Sequence, residues 1–247
     1  MGGRGSAMGR VTSGGTFTGN ATSMANMRNE LSVGMNMKVG SLADTQVELV
    51  YQAVKEYNEL DPMFADAIKA ANISIYAEQL QDGVLADASP SVIRLSTKYF
   101  SDNAQAAHQA MQRSEASGWH PPGDASSIIA HELGHYMHYG VRASVRHLAR
   151  QGVQDKLVNE LAKNPTFSPN NVQNKIVAKV AKRAGVGIKE LRRRISEYAN
   201  QDSSEATAEA FADVVHNKGN AKKASKLIVQ EYTKVYNHLN ELIRNNL

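Results

Sequence analysis

The segment His131–His135 reads His-Glu-Leu-Gly-His, the H-E-x-x-H pattern that holds a metal ion when it lies on a helix. Four residues turn an α-helix by about 400°, so the two imidazoles lie on one face and can bind one ion at about 2.1 Å. Glu132 lies about 100° further round the helix, where its carboxylate can remove a proton from a water molecule at that ion. These residues predict a Zn²⁺ site that activates water.

A catalytic zinc ion normally has three protein ligands, so the histidine pair needs one more. The chain has no cysteine, which leaves nitrogen and oxygen ligands only. The metzincin extension would place glycine at position 138 and histidine or aspartate at 141, but this chain has His138 and Val141. His138 is about 10.5 Å of helix rise from His131 and cannot share the ion. The third ligand must therefore come from another part of the chain.

A second helical segment, residues 203–217, offers this ligand. Glu205 and Glu209 recur at positions i and i+4 and so share one face. Small alanines around the carboxylates allow this helix to approach the helix of His131 closely. One glutamate can then bind the ion while the other accepts a hydrogen bond from a ligating imidazole, although an exposed acidic helix face would show the same pattern. The apolar stripe of the segment consists of Ala208, Phe211 and Val215.

The segment from Tyr198 to Phe211 adds a resemblance to a known family. Together with His131–His135, it resembles the catalytic domain of anthrax lethal factor and related phage-encoded peptidase domains, which are gluzincin metallopeptidases. In that family a tyrosine precedes a glutamate by seven residues and Ala-Glu-Ala-Phe follows, an order and spacing that this chain reproduces. The resemblance implies that Glu205 is the third zinc ligand and that Glu209 supports a ligating imidazole. It also implies that Tyr198 donates a hydrogen bond to the oxyanion of the tetrahedral intermediate.

The same resemblance implies a protein or peptide substrate, with phage head proteins as candidate partners. A strand over Val92–Phe100 would flank the cleft and pair with an extended substrate. The two motifs are further apart here than in lethal factor, so substrate contacts are not carried over. The Gly- and Arg-rich opening Met1–Ser6 is similar to the termini of phage head proteins. We recognise no signal peptide and expect the protein in the host cytoplasm or the virion.

The elements that must position these residues are mostly helical and predict an α+β fold of the zincin type, with a small sheet flanking the active-site helix. Asp124 follows a Pro-Pro-Gly breaker and is expected to cap the helix of His131. A first amphipathic helix is predicted from about Ser41 to Asp61-Pro62. Strands are predicted at Ile73–Tyr76 and Val92–Phe100. Further helices are predicted near residues 103–116, 124–139, 142–163, 170–184, 187–195, 203–217 and 221–245.

Composition divides the chain into two parts. Residues 1–40 are rich in Gly, Met, Ser and Thr without a sustained period, which predicts a flexible tail. Residues 41–247 are predicted to form a zincin-like metallopeptidase domain with a helical insertion at about 142–195. The Trp119-His120 pair ahead of the active-site helix is interpreted as loop packing, although such a pair could also line the cleft.

The net charge is +4, and basic residues are concentrated between Lys175 and Arg194. We interpret this stretch as a solvated helix face. Its two helices, joined around Gly185, also have the form of a helix-turn-helix, but plain packing is the commoner origin, so a nucleic-acid partner is not expected. No apolar run approaches the roughly 20 residues that a membrane span requires, so a membrane partner is not expected either.

The sequence therefore predicts a zinc metallopeptidase, an endopeptidase that hydrolyses peptide bonds through a metal-activated water. The alternative is a phage virion structural or scaffold protein, whose non-catalytic zinc site ties two helices together. The number of protein ligands discriminates between them, because an enzyme keeps one coordination position for water whereas a structural site fills all four.

Overall fold

Helices make up most of the protein, and a small mixed sheet follows the third of them along the chain. The computed structural model describes residues 16–101, 103–162 and 169–246. The predicted α+β class is confirmed at this level. In that part of the chain the helices are α1 Met24–Asn29, α2 Asp44–Leu60, α3 Pro62–Ala70, α4 Gln105–Ala116, α5 Ala125–Gly134, α6 Met137–Arg150, α7 Lys156–Ala162, α8 Pro169–Ala184, α9 Ile188–Arg193, α10 Ser203–Asn217 and α11 Lys223–Asn245. The strands are β1 Ser74–Glu78, β2 Ala86–Ser89 and β3 Val92–Ser96.

Strand β3 is the centre of the sheet. It pairs in parallel with β1 and antiparallel with β2, in the order β1-β3-β2. The predicted strand Val92–Phe100 is too long, because the backbone N–H of Phe100 turns back to the carbonyl of Ser96 at 2.8 Å. The edge strand β2 was not predicted, since its sequence Ala-Asp-Ala-Ser has none of the β-branched or aromatic residues that favour strands.

The proline at position 62 both ends one helix and begins the next. α2 ends at Leu60 as predicted, and the Asp61 carboxylate then accepts a hydrogen bond from the backbone N–H of Met63 at 3.1 Å. Proline suits the first turn of a helix because the missing N–H has no intrahelical partner there. The helix α3 that follows was not predicted, although Asp-Pro is a start signal as well as a stop.

The helices that carry the two motifs, α5 and α10, make the most extensive contact between any two described elements. Gly134 permits this approach, because a Cβ at that position would lie 2.8 Å from the Cα of Ala208 and 3.0 Å from its carbonyl oxygen. Ala206, Ala208 and Ala210 are all buried on α10. The small residues therefore let the two helix backbones come close enough for their side chains to share one site, as expected from the sequence.

Replacing Gly134 with alanine is expected to destabilise the protein by about 2 kcal/mol, since overpacking against backbone atoms outweighs alanine's better helix propensity. Urea unfolding followed by circular dichroism measures this. Gly219→Ala is the matched control, because no atom lies within 4 Å of a Cβ there and its φ is outside the left-handed region. An unchanged unfolding midpoint for Gly134→Ala would show that the helices are not in this close contact.

An aromatic cluster around Phe211 packs α10 against α2, α3 and α11. The ring of Phe211 is fully buried, with ring centroids at 5.9 Å from Tyr57, 4.9 Å from Phe64 and 5.3 Å from Tyr232. Two tyrosine hydroxyls then bind helix carbonyls: that of Tyr57 donates to Ala130 at 2.8 Å, and that of Tyr236 donates to Met137 at 2.5 Å. These contacts tie α2 and α11 to the helices on either side of the histidine pair.

The helix predicted over residues 124–139 is interrupted near its end. α5 ends at Gly134, and a turn at His135 and Tyr136 precedes α6. At this turn the Tyr136 hydroxyl reaches the carbonyls of Ser89 and Val92 at 2.7 and 3.0 Å. The break thus coincides with a tertiary contact to the β2–β3 turn. Local helix propensity contains no information about such a contact, so the sequence predicts a continuous helix.

The helix predicted over residues 142–163 is in fact divided between α6 and α7. Gly152 has a positive φ of 73°, a conformation that ends helices. The Asp155 carboxylate then accepts hydrogen bonds from the backbone N–H groups of Leu157 and Val158 at 2.8 and 3.0 Å, which caps α7. Gly152 and Asp155 are end and start signals that the sequence contains. Apolar residues at helical spacing continue across them, however, and so predict one long helix.

The predicted flexible tail over residues 1–40 is corrected for its second half. α1 is followed by a π-helical turn over Glu30–Gly34, and buried and exposed side chains then alternate from Met35 to Val39, where Lys38 forms an isolated parallel bridge with Ser74. This alternation spans only five residues within a stretch rich in Gly, Ser and Thr, and that composition alone predicts a tail. Residues 1–15 lie outside the described residues. The buried side chains are Leu31, Met35, Met37 and Val39.

The Glu30 carboxylate holds the start of this region against α2. It accepts hydrogen bonds from the backbone N–H groups of Thr18 and Gly19 and from the hydroxyl of Tyr51, each at 3.0 Å. Although burial opposes ionisation, these donors lower the pKa of Glu30. The segment from Thr18 onward is thus part of the folded unit.

Two cations of the basic stretch have partners inside the protein, which partly corrects its interpretation as a solvated face. The Glu231 side chain of α11 is fully buried, and its carboxylate lies 2.6 Å from Lys179 Nζ and 2.5 Å from Arg183 Nη1. These two residues of α8 neutralise a buried charge, which would be costly alone. Among the described residues, no helix is both long and apolar enough to cross a membrane.

Candidate metal centre

Three side chains from two distant segments converge at the contact between α5 and α10. His131 lies on α5, His135 directly follows it, and Glu205 lies in the first turn of α10. Glu205 Oε2 is 3.2 Å from His131 Nε2 and 3.6 Å from His135 Nε2, and one donor atom from each residue lies within 4.8 Å of the others. The predicted convergence of the histidine pair with a glutamate of the 203–217 helix is therefore confirmed, and the cluster could hold a metal ion.

The spacing of these atoms fits zinc. Four ligands at about 2.0–2.1 Å in a tetrahedron lie about 3.3 Å from one another, and the two distances to Glu205 bracket this value. Glu205 Oε2 is buried yet makes no hydrogen bond, although two imidazole nitrogens are its neighbours. A buried carboxylate oxygen without a partner is unfavourable by itself and is satisfied by a cation placed between the three donor atoms.

The remaining ring nitrogens of the two histidines have acceptors that orient them. His131 Nδ1 lies 2.7 Å from Glu209 Oε1, and His135 Nδ1 lies 3.0 Å from Ser204 Oγ, which Gln173 also contacts at 3.2 Å. From this hydrogen-bond network we assign the ring protons to Nδ1, which leaves both Nε2 atoms directed at the cluster. Burial lowers the pKa of His135 to about 4, so its imidazole is neutral and able to bind a metal at pH 7.

Glu209 lies one turn after Glu205 and is almost fully buried. Its Oε1 accepts hydrogen bonds from His131 Nδ1 at 2.7 Å and His120 Nδ1 at 2.9 Å, while Oε2 accepts one from Ser196 Oγ at 2.8 Å. Burial opposes ionisation, but the bonds from His120 and His131 hold the pKa of Glu209 at about 2. The carboxylate is thus ionised, and its hydrogen bond to Nδ1 orients the ring of His131.

Both helices begin at capped positions close to the site. The Asp124 carboxylate accepts from the backbone N–H groups of Ser126 and Ser127 at 2.7 and 3.2 Å, the cap predicted from the sequence. Asp202 does the same for α10, accepting from the N–H groups of Ser204 and Glu205 at 2.6 and 2.9 Å. The caps fix the residue at which each helix starts. They therefore also fix the position of Glu205 along α10 relative to the histidine pair.

Glu132 faces a cleft of about 390 Å³ that His131 and Tyr198 also line. Its side chain is buried, and burial raises the pKa of Glu132 to about 7, with the carboxylates of Glu205 and Glu209 adding to the effect and His131 opposing it. A carboxyl group whose pKa lies near neutrality can both accept and return a proton at physiological pH. Its surroundings therefore suit the general base that the motif predicts.

Tyr198 lies in the turn before α10, with its ring centroid 5.6 Å from that of His131. Its backbone N–H donates to the carbonyl of Trp119 at 3.0 Å, which holds it beside the loop ahead of α5. Burial raises the pKa of Tyr198, and the nearby carboxylates raise it further, so the phenol keeps its proton at neutral pH. It is therefore available as a neutral hydrogen-bond donor at the edge of the cleft.

His120 is the residue of this site that sequence reasoning undervalued. It was interpreted as loop packing, whereas its side chain binds Glu209 and lines the cleft. No spacing rule connects a loop histidine with a glutamate 89 positions later, so the pair could not be predicted. Ser196, Ser204 and Gln173 were missed for the same reason. The only usable signal was the position of a histidine just before the Pro-Pro-Gly breaker.

The strand predicted to pair with substrate is not free to do so. β3, which begins at Val92, already has β1 on one edge and β2 on the other. The strand beside the cleft is β2, and residues 83–86, which lead into it, line the cleft with Glu132 and Tyr198. An extended peptide that adds to this sheet near the site would pair with β2.

No protein-family model, curated protein or solved structure matches this chain. The functional argument therefore depends on the residues and geometry of the site.

Proposed function

We propose that the protein is a zinc-dependent endopeptidase of the gluzincin type. His131, His135 and Glu205 would hold Zn²⁺ through their Nε2 and Oε2 atoms. The observation that carries this proposal is the buried Glu205 oxygen without a hydrogen bond, 3.2 and 3.6 Å from the two Nε2 atoms. Carboxylate and imidazole donors in this number and spacing suit zinc.

The residues of the cleft supply the rest of the chemistry. When bound, zinc supplies a Lewis acid that polarises the scissile carbonyl and lowers the pKa of the attacking water. Glu132 accepts a proton from that water and returns it to the leaving amine. Tyr198 donates a hydrogen bond to the oxyanion, a contribution of about 3 kcal/mol in a site closed to water. Glu209 holds the ring of His131 in the orientation in which Nε2 meets the ion.

A purely structural zinc site is the weaker alternative. Within the described residues the cluster comprises three side chains, the number that catalytic zinc uses, whereas structural sites use four. The cluster also borders a cleft in which Glu132 and Tyr198 lie, and a site that only ties two helices together has no need of one. Phage head proteins, in the host cytoplasm or the virion, stay candidate substrates on the family resemblance alone.

Removal of the metal is expected to abolish cleavage reversibly. The purified protein should contain close to one zinc ion per chain and should cut members of a peptide library. Dialysis against a strong zinc chelator should reduce cleavage to background, and Zn²⁺ but not Mg²⁺ should restore it, because Mg²⁺ prefers an oxygen shell that this site does not offer. Metal analysis and mass spectrometry of the digests measure both effects. Cleavage that persists in metal-free protein would rule out the proposed mechanism.

A further inference from the structure

One carboxylate oxygen joins the metal cluster to the wall of the cleft. Glu209 Oε1 accepts hydrogen bonds from two histidines at once, His131 at 2.7 Å and His120 at 2.9 Å, each through Nδ1. The first orients a proposed zinc ligand. The second has no place in the mechanism given above, and His120 does not belong to the metal cluster. His120 therefore needs its own explanation.

The bond to Glu209 determines what the other nitrogen of His120 can do. The two nitrogens of an imidazole point in different directions, and with the proton on Nδ1 the Nε2 atom is a hydrogen-bond acceptor. The side chain is 17% exposed and lines the same cleft as Glu132 and Tyr198. No hydrogen bond to His120 Nε2 is present within residues 16–101, 103–162 and 169–246. An acceptor is thus available beside the proposed reaction centre.

The loop that carries His120 is held in place at both ends. The carbonyls of Gly118 and Trp119 accept hydrogen bonds from the backbone N–H groups of Glu197 and Tyr198 at 3.3 and 3.0 Å. On the other side the Asn217 amide donates to the carbonyl of Pro122 at 2.9 Å. The ring of His120 also packs against that of Tyr198, with centroids 4.7 Å apart. A side chain fixed this way is oriented before a ligand arrives.

We propose that His120 is a substrate-binding residue whose Nε2 accepts a hydrogen bond from a backbone N–H of the peptide close to the scissile bond. Backbone N–H groups are the donors that every peptide offers, so this contact selects for an extended peptide chain and not for a particular side chain. The inference deepens the proposed peptidase function and depends on it. The same Glu209 carboxylate would then align both the metal ligand and the substrate contact.

The variant His120→Asn separates substrate binding from support of Glu209. The asparagine amide N–H can take the position of Nδ1 and still donate to Glu209, but nothing remains at the position of Nε2. We expect kcat/KM for a good peptide to fall about tenfold, mainly through a higher KM, as loss of one binding hydrogen bond predicts. Zinc content should stay that of the parent. His120→Gln, whose amide reaches the Nε2 position, is expected to recover part of the loss.

N-methylated peptides identify the contact itself. Each amide on either side of the scissile bond is methylated in turn, and kcat/KM is measured with the parent and with His120→Asn. For one peptide the ratio between the two proteins should fall from about ten to about one, because the N–H that His120 binds is already gone. A ratio that stays near ten for every peptide, or a loss of zinc from His120→Asn that matches its loss of activity, would overturn the proposal. If the parent itself cleaves no peptide, the proposed peptidase function is wrong. That outcome differs from one in which the parent cleaves peptides but His120 makes no contact with them.

Discussion

The variant Glu205→Gln is expected to lose zinc affinity by more than about 100-fold, the largest loss that removal of an outer hydrogen-bond partner alone produces. The amide is neutral and a poor zinc ligand, so two imidazoles remain where three donors are needed. Competition with a chromophoric chelator measures the affinity. The side chains differ by little in size, so the close packing of α5 and α10 should survive.

Glu205→Gln should also remove most of the stabilisation that zinc gives the parent. We expect zinc to raise the melting temperature of the parent and to leave that of the variant almost unchanged. Thermal unfolding with and without zinc measures these differences.

Two matched variants control this experiment. Glu209→Gln should weaken zinc binding by about 10–100-fold, since it removes the charge that orients His131 but leaves all three ligands. Glu197→Gln, at an exposed glutamate of the turn before α10, should bind zinc as the parent does. Parent-like zinc affinity in Glu205→Gln would show that this carboxylate is not a ligand, and the gluzincin assignment would be wrong.

The parts of the site that lie on regular helices were predictable from the sequence. The i, i+4 spacing of the histidines and of Glu205 and Glu209 needs only helical geometry, and the Asp124 cap needs only the breaker before it. The approach of the two helices could be inferred from the alanines around the carboxylates. Gly134 was visible as well, but its role as the contact point with Ala208 became clear only from the structure.

The parts that depend on contacts distant in sequence were not predictable. The bond between His120 and Glu209 and the bond between Tyr136 and the β2–β3 turn each join segments with no shared period. The edge strand β2 exists because β3 pairs with it and not because Ala-Asp-Ala-Ser favours a strand. In each case tertiary packing determines the structure, and the local sequence pattern does not predict it.

The variant Glu132→Gln is expected to lower kcat by about 1,000-fold while zinc content and fold are kept. A glutamine cannot take a proton from water, and removal of a general base typically costs between about 100- and 10,000-fold. The Glu132 carboxyl is buried, and burial raises its pKa to about 7, so a neutral amide of the same shape does not disturb the site. Peptide cleavage measured together with zinc content tests this prediction.

The comparison between Glu132→Gln and Glu205→Gln separates chemistry from metal binding. Both remove one carboxylate near the same site, but among the described residues only Glu205 belongs to the cluster of donor atoms with the two histidines. Glu132→Gln should therefore be inactive with zinc bound, and Glu205→Gln inactive because zinc is lost. Excess zinc should restore activity in the second variant only. Cleavage at the parent rate by zinc-loaded Glu132→Gln would mean that another group takes the proton, and the role of the central glutamate of the motif would have to be abandoned.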